Sequence, residues 1–136
     1  MVPFATRLHH RVQELGTRVC LGIDPRPALH RSTDPAQFDG DPAKAARAVV
    51  VYFRQIIDAT ADLVACYKPQ TAFFEALGIP GLIALAQLQA DIRDRGVPLL
   101  TDAKRGDLDS TAAAYASTYL GDGVFASDAL TVNPYL

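Results

Sequence analysis

Short apolar runs alternate with segments of helical periodicity along this chain, and a parallel sheet with helices on its outside is the arrangement that accommodates such an order. A first helix over Phe4–Leu15, stopped by Gly16, precedes a strand over 19–23 that breaks at Asp24-Pro25-Arg26-Pro27. A polar loop leads to Asp41-Pro42, an N-cap acid followed by a proline at the first helical position. That pair opens a helix with apolar residues at Ala46, Val49, Val50, Phe53, Ile56 and Ile57. A second strand over 63–67 ends at Lys68-Pro69, and Pro80-Gly81 opens a helix through Leu82, Leu85, Leu88 and Ile92, closed by Arg93, Arg95 and Gly96. The third strand covers 98–104, a helix 111–120 and a fourth strand Ala129–Val132. A closed (β/α)8 barrel typically takes about 250 residues. The 136 residues here, one domain by length, make either a small open sheet or the front half of a barrel.

Composition removes several functional classes. The net charge is −2 and the lysines and arginines are scattered, which argues against a nucleic-acid or polybasic membrane surface. The first ten residues hold no apolar core of signal-peptide length and no later run is long enough to span a bilayer, so the sequence predicts a cytoplasmic protein. Cys20 and Cys66 sit in apolar strand-like runs without a CxxC spacing or neighbouring histidines and read as buried, reduced thiols. His9, His10 and His30 lie in helix or loop contexts and read as solvated surface residues. No GxGxxG, P-loop lysine or Gly-x-Ser-x-Gly is present, which leaves dinucleotide, nucleotide-hydrolysing and serine-hydrolase readings without support.

Chemistry concentrates at the strand ends. Within Leu99-Leu100-Thr101-Asp102-Ala103-Lys104-Arg105-Gly106-Asp107, side-chain alternation projects Asp102 and Lys104 from the same side of the third strand at its C-terminal end. Asp107 follows and begins a polar run in which Asp109 or Ser110 is a candidate N-cap. Asp24, Lys68 and Asn133 end the other three strands. Each alone reads as a turn or cap residue, but a parallel sheet gathers all these ends on one edge, where α/β folds put their active sites. Glu75 in Phe73-Phe74-Glu75-Ala76 reads as a local cap or pairing residue.

The run Asp102-Ala103-Lys104-Arg105-Gly106-Asp107, with Thr111 four residues on, resembles the signature of the orotidine 5'-phosphate decarboxylase family. Leu21-Gly22-Ile23-Asp24-Pro25, Lys68-Pro69-Gln70-Thr71-Ala72-Phe73-Phe74-Glu75 and Thr131-Val132-Asn133-Pro134-Tyr135-Leu136 resemble its bacterial long-loop (type 2) branch. The resemblance runs in order along nearly the whole chain. It implies the N-terminal half of a (β/α)8 TIM barrel, with four parallel strands and outer helices, in residues 1–136. It also implies decarboxylation of orotidine 5'-phosphate without cofactor or metal, in a homodimer with active sites at the subunit interface. By the same resemblance Lys68, Asp102, Lys104 and Asp107 form an alternating charged array, and Asp24 binds ribose hydroxyls. Asp107 and Thr111 reach the partner subunit's site, and Asn133 lies near the base.

Such an array suits the reaction, because loss of carbon dioxide from C6 leaves an electron pair that the ring does not delocalise and that a fixed cation must stabilise. The resemblance assigns the phosphate grip to later strands, so the 136 residues are expected to be incomplete as an enzyme, with inward-facing residues such as Ile23 and Leu100 lacking an opposite wall. Two other readings compete. A metal-dependent sugar-phosphate branch shares DxKxxD but needs an acid where this chain has Lys68. A non-catalytic half-barrel would instead associate through its exposed strand edges.

Overall fold

The computed structural model describes residues 2–26 and 29–135 and follows the expected order of strand and helix. Pro27 and Leu136, quoted above in the first loop and the last motif, lie outside the described residues. Four strands, β1 (Cys20–Ile23), β2 (Cys66–Pro69), β3 (Leu100–Arg105) and β4 (Ala129–Val132), lie side by side in that order. β1 pairs in parallel with β2, Cys20 opposite Cys66 and Ile23 opposite Pro69, and β3 pairs in parallel with β4. The parallel bridges Tyr67–Leu99 and Gln70–Asp102 join the two pairs. All four C-terminal ends therefore meet at one edge.

The helices are α1 (Phe4–Leu15), α2 (Pro42–Thr60), α3 (Thr71–Glu75), α4 (Gly78–Asp94) and α5 (Asp109–Leu120). Asp41 starts α2 as expected: its Oδ1 accepts from Ala43 N at 2.8 Å and Lys44 N at 3.3 Å, and Pro42 has no N–H to satisfy. The stripe Ala46, Val49, Val50, Phe53 and Ile57 is buried, while Ile56 is half-buried at its edge. It packs with Leu85, Leu88 and Ile92 of α4 onto Ile23, Tyr67 and Leu99 of the sheet, forming one core. Each large side chain fully buried there contributes about 1.5–3 kcal/mol. Tyr67 satisfies its buried hydroxyl with Thr60 Oγ1 at 2.7 Å and by donating to Ile57 O at 3.2 Å. α1 buries no residue completely. It is held at the opposite edge of the sheet by Arg7, which meets the Asp128 carboxylate, and by Arg11, whose Nε donates to Val64 O at 2.9 Å.

Tertiary contacts correct several sequence expectations. β2 begins three residues later than expected, so Lys68 and Pro69 belong to the strand instead of following it. A short helix, α3, precedes α4, and α4 opens at Gly78, two residues before Pro80. Gly81 lies inside α4, where a Cβ would stand 1.9 Å from Phe74 O; only glycine permits α3 and α4 to approach so closely. Neither Asp109 nor Ser110 caps α5, whose N-cap is Leu108 without a side-chain bond. Ile23 faces the helices and is fully buried, because alternation puts it on the packed side of β1; Leu100 stays half-buried on the other face. Cys20 is exposed on that other face, opposite the buried Cys66, and both thiols are free. His30 is packed with Tyr52 and Phe53, its Nδ1 3.2 Å from the Tyr52 hydroxyl, while His9 and His10 are exposed.

Candidate active site at the strand C-termini

Asp102 organises the edge where the strands end. It is buried, and its two oxygens accept from four side chains. Oδ1 takes Lys104 Nζ at 2.7 Å and Thr131 Oγ1 at 2.8 Å; Oδ2 takes Lys68 Nζ at 3.1 Å and Gln70 Nε2 at 2.9 Å. A carboxylate offers about four lone-pair positions, so its accepting capacity is filled. Burial pushes the Asp102 carboxyl upward, but bonds from Lys104, Thr131 and Lys68 and the Lys68 charge outweigh burial and hold it at about 2. Asp102 is ionised throughout the physiological range, and the lysines on either side are held by a charge fixed within the protein.

Lys104 reaches Asp102 by a route different from simple alternation. Thr101 pairs with Leu130 and Arg105 with Val132, so four steps along β3 span two along β4 and β3 bulges between them. At the bulge Lys104 takes φ +49°, a left-handed conformation uncommon for a residue with a Cβ. Its ammonium folds back onto Asp102 while its side chain remains 65% exposed, leaving it accessible from the open edge. Beyond the bulge Asn133 N donates to Arg105 O at 2.8 Å, and Gly106 admits this approach, since a Cβ there would lie 2.7 Å from Asn133 O.

The other expected site residues are placed unequally. Lys68 joins the cluster. Asp24 stands at the end of β1, half-buried, with Oδ1 buried and without a partner among the described residues and Oδ2 3.9 Å from an Arg26 nitrogen. Asn133 is exposed, its Oδ1 accepting from Tyr135 N at 3.1 Å. Asp107 and Thr111 are exposed beyond β3. Among the described residues Asp107 has no bond to the Asp102 cluster; its Oδ1 accepts from Leu108 N at 2.8 Å. Glu75 is not a local cap: its Oε1 accepts from Arg105 at 2.5 Å, tying α3 to β3.

The sequence motifs assign Gln70 and Thr131 no role, although their spacing carries a signal. Gln70 lies two residues after Lys68 and Thr131 two before Asn133, so each shares a strand face with an expected site residue. No group of three or more His, Cys, Asp or Glu side chains converges as a metal site among the described residues. Nor is any helix among them long and apolar enough to cross a membrane.

The chain is similar to a known family along most of its length. The family described as orotidine 5'-phosphate decarboxylase / HUMPS matches residues 17–136. Orotidine 5'-phosphate decarboxylase of Deinococcus radiodurans is 44% identical over 133 residues, covering 98% of this chain and 44% of its own length. That of Rhodopirellula baltica is 40% identical over 142 residues, covering 100% of this chain and 47% of its own. The Leishmania donovani OMP decarboxylase structure superposes with a TM-score of 0.75 at 33% identity, covering 98% of this chain and 45% of that one. The UMP synthase structure from the same organism gives 0.78 at 32% identity, covering 99% and 26%. The chain thus spans about half the length of the curated relatives it matches, and its four-stranded α/β layer corresponds to the N-terminal half of their TIM barrel.

Proposed function

The chain belongs to the orotidine 5'-phosphate decarboxylase / HUMPS family, and on that premise we propose that its strand ends furnish the charged array for converting orotidine 5'-phosphate to uridine 5'-phosphate in pyrimidine biosynthesis. The observation that carries this reading is an ionised carboxylate held between two lysine ammoniums at the C-terminal edge of parallel strands. Loss of carbon dioxide breaks the bond between C6 and the carboxyl carbon and leaves its electron pair on C6. Lys104 is the cation that faces this pair, and a proton from its Nζ passes to C6; water then reprotonates the amine. Asp102 orients Lys104, and Lys68 holds Asp102 from the other side. A cation at Lys68 also repels a divalent metal at the position where the metal-dependent reading needs an acid, which favours the cofactor-free reaction.

In this reading Asp24, with an oxygen that has no partner among the described residues, binds ribose hydroxyls, and Asn133 lies near the base. Residues 1–136 act as one partial-barrel unit, and the groups that hold the phosphate belong to the remaining half of the family fold. The protein works in the cytoplasm as a homodimer in which Asp107 and Thr111 complete the partner subunit's site. Their exposure, away from the Asp102 cluster, supports that assignment.

In the protein that carries this chain, Lys104→Ala is expected to lower turnover of orotidine 5'-phosphate roughly thousandfold or more. Turnover is followed by the loss of the substrate's ultraviolet absorbance, and binding of uridine 5'-phosphate stays measurable. Mixing this variant with Asp107→Ala, itself inactive, restores activity once subunits exchange. Near-normal turnover of Lys104→Ala removes that residue from the mechanism, and no recovery despite subunit exchange shown by mass spectrometry removes Asp107 from the partner's site.

A further inference from the structure

The bulge in β3 has a chemical consequence for the backbone of Lys104. Where four residue steps on one strand face two on the other, the regular ladder leaves backbone groups without carbonyl partners. Lys104 N finds its acceptor in a side chain: Thr131 Oγ1, 3.0 Å away. The same hydroxyl donates its hydrogen to Asp102 Oδ1 at 2.8 Å, the oxygen that also receives Lys104 Nζ at 2.7 Å. One oxygen of β4 therefore fixes both ends of the Lys104 problem, the left-handed backbone at φ +49° and the carboxylate onto which the ammonium folds. The hydroxyl donates one of these bonds and accepts the other, and its bond to Asp102 is partly buried on a half-buried Thr131.

We propose that Thr131 is a positioning residue for the decarboxylation assigned above, holding the β3 bulge closed so that the Lys104 ammonium is aimed from Asp102 toward the reacting carbon. The inference rests on the proposed function for its kinetic consequence, but its structural content concerns only Thr131, Lys104 and Asp102. Gln70 and Lys68 secure the other oxygen of Asp102 and leave Oδ1 to this pair. Without the hydroxyl, Lys104 N loses its acceptor, the strained conformation relaxes, and the ammonium is no longer fixed relative to the substrate. A reacting group displaced in this way loses rate while ground-state binding through other residues persists.

The test uses Thr131→Val, which keeps the branched shape and removes the hydroxyl, and Thr131→Ser, which keeps the hydroxyl, in the protein that carries this chain. Thr131→Val is expected to lower kcat roughly ten- to hundredfold with KM changed less than about threefold. The acid limb of its pH profile moves upward, because Asp102 has lost one bond to its ionised form. Thr131→Ser stays within about threefold of the parent in kcat and keeps its pH profile. Titration of the Asp102 carboxyl by carbon-13 NMR reads the same change without substrate: upward in Thr131→Val, unchanged in Thr131→Ser. Unaltered kcat and an unaltered Asp102 titration in Thr131→Val overturn the proposal, as does an equal loss in both variants, which marks a packing role. Should Thr131→Val fail to fold, Thr131→Ser decides alone: retained kcat and titration support the proposal, and loss of either overturns it. If Asp102 shifts in Thr131→Val while the parent protein does not decarboxylate orotidine 5'-phosphate, the positioning geometry stands and the proposed function falls.

Discussion

Two carboxylates end strands at the same edge of the sheet and have opposite surroundings. Asp102, on β3, has four side-chain donors on its two oxygens and is buried among them. Asp24, just past β1, keeps one buried oxygen without a partner among the described residues and has Arg26 at 3.9 Å beside the other. A buried acceptor left unsatisfied costs roughly 1–3 kcal/mol, and in the proposed function ribose hydroxyls supply the donor that Asp24 Oδ1 lacks among the described residues. Asp102 is accordingly part of the electrostatic framework of the edge, while Asp24 is the acid that the proposed function assigns to substrate. Neighbouring strands supply the difference. β3 lies between β2 and β4 and gains Lys68, Gln70 and Thr131 from them, whereas β1 has β2 on one side alone among the described residues.

The largest effect expected from this contrast is on Asp102→Ala. Removing the shared anion leaves Lys68 and Lys104 facing each other without it, and both lysines are partly exposed, so the loss of stability is about 2 kcal/mol, short of the cost at a fully buried pair. Urea unfolding measures it, and a loss below about 0.5 kcal/mol would mean that the cluster is not cohesive. Acid sharpens the same point. Because the folded carboxyl is held at about 2, below its ordinary value of 3.8, its contribution is complete above that ordinary value and disappears as pH falls from about 4 through 2. The depression corresponds to roughly 2 kcal/mol. Unfolding free energies at pH 7, 4, 3 and 2 should fall more steeply in the parent than in Asp102→Asn; parallel curves would assign acid sensitivity to other carboxylates.

The smallest effect on stability belongs to Asp24. Asp24→Asn is expected to change unfolding free energy by less than about 1 kcal/mol, since its buried oxygen has no hydrogen bond to lose among the described residues. Calorimetric titration with uridine 5'-phosphate, in the protein that carries this chain, should instead show affinity lowered roughly tenfold or more through loss of a charged acceptor for hydroxyl groups. A destabilisation equal to that of Asp102→Ala, with nucleotide binding intact, would break the comparison by making both acids structural.

Much of the fold was legible because it rests on local chemistry. The Asp41-Pro42 start of α2, the stripe from Ala46 to Ile57 and the bounds of α1 and β4 depend on residues within a few positions of one another. So does the presence of Asp24, Lys68, Asp102 and Asn133 at or near strand ends, which parallel order converts into a shared edge. By itself the sequence determined the order of strands and helices and the gathering of Asp24, Lys68, Asp102 and Lys104 near strand ends on one edge.

Tertiary structure decided how they meet. Thr131 and Gln70 lie 29 and 32 positions from Asp102, and Glu75 lies 30 from Arg105. Their pairings depend on the register between strands and on the packing of α3, which no local propensity encodes. The left-handed Lys104 likewise follows from a mismatch between β3 and β4, because a bulge is a property of two strands, and neither sequence segment specifies it alone.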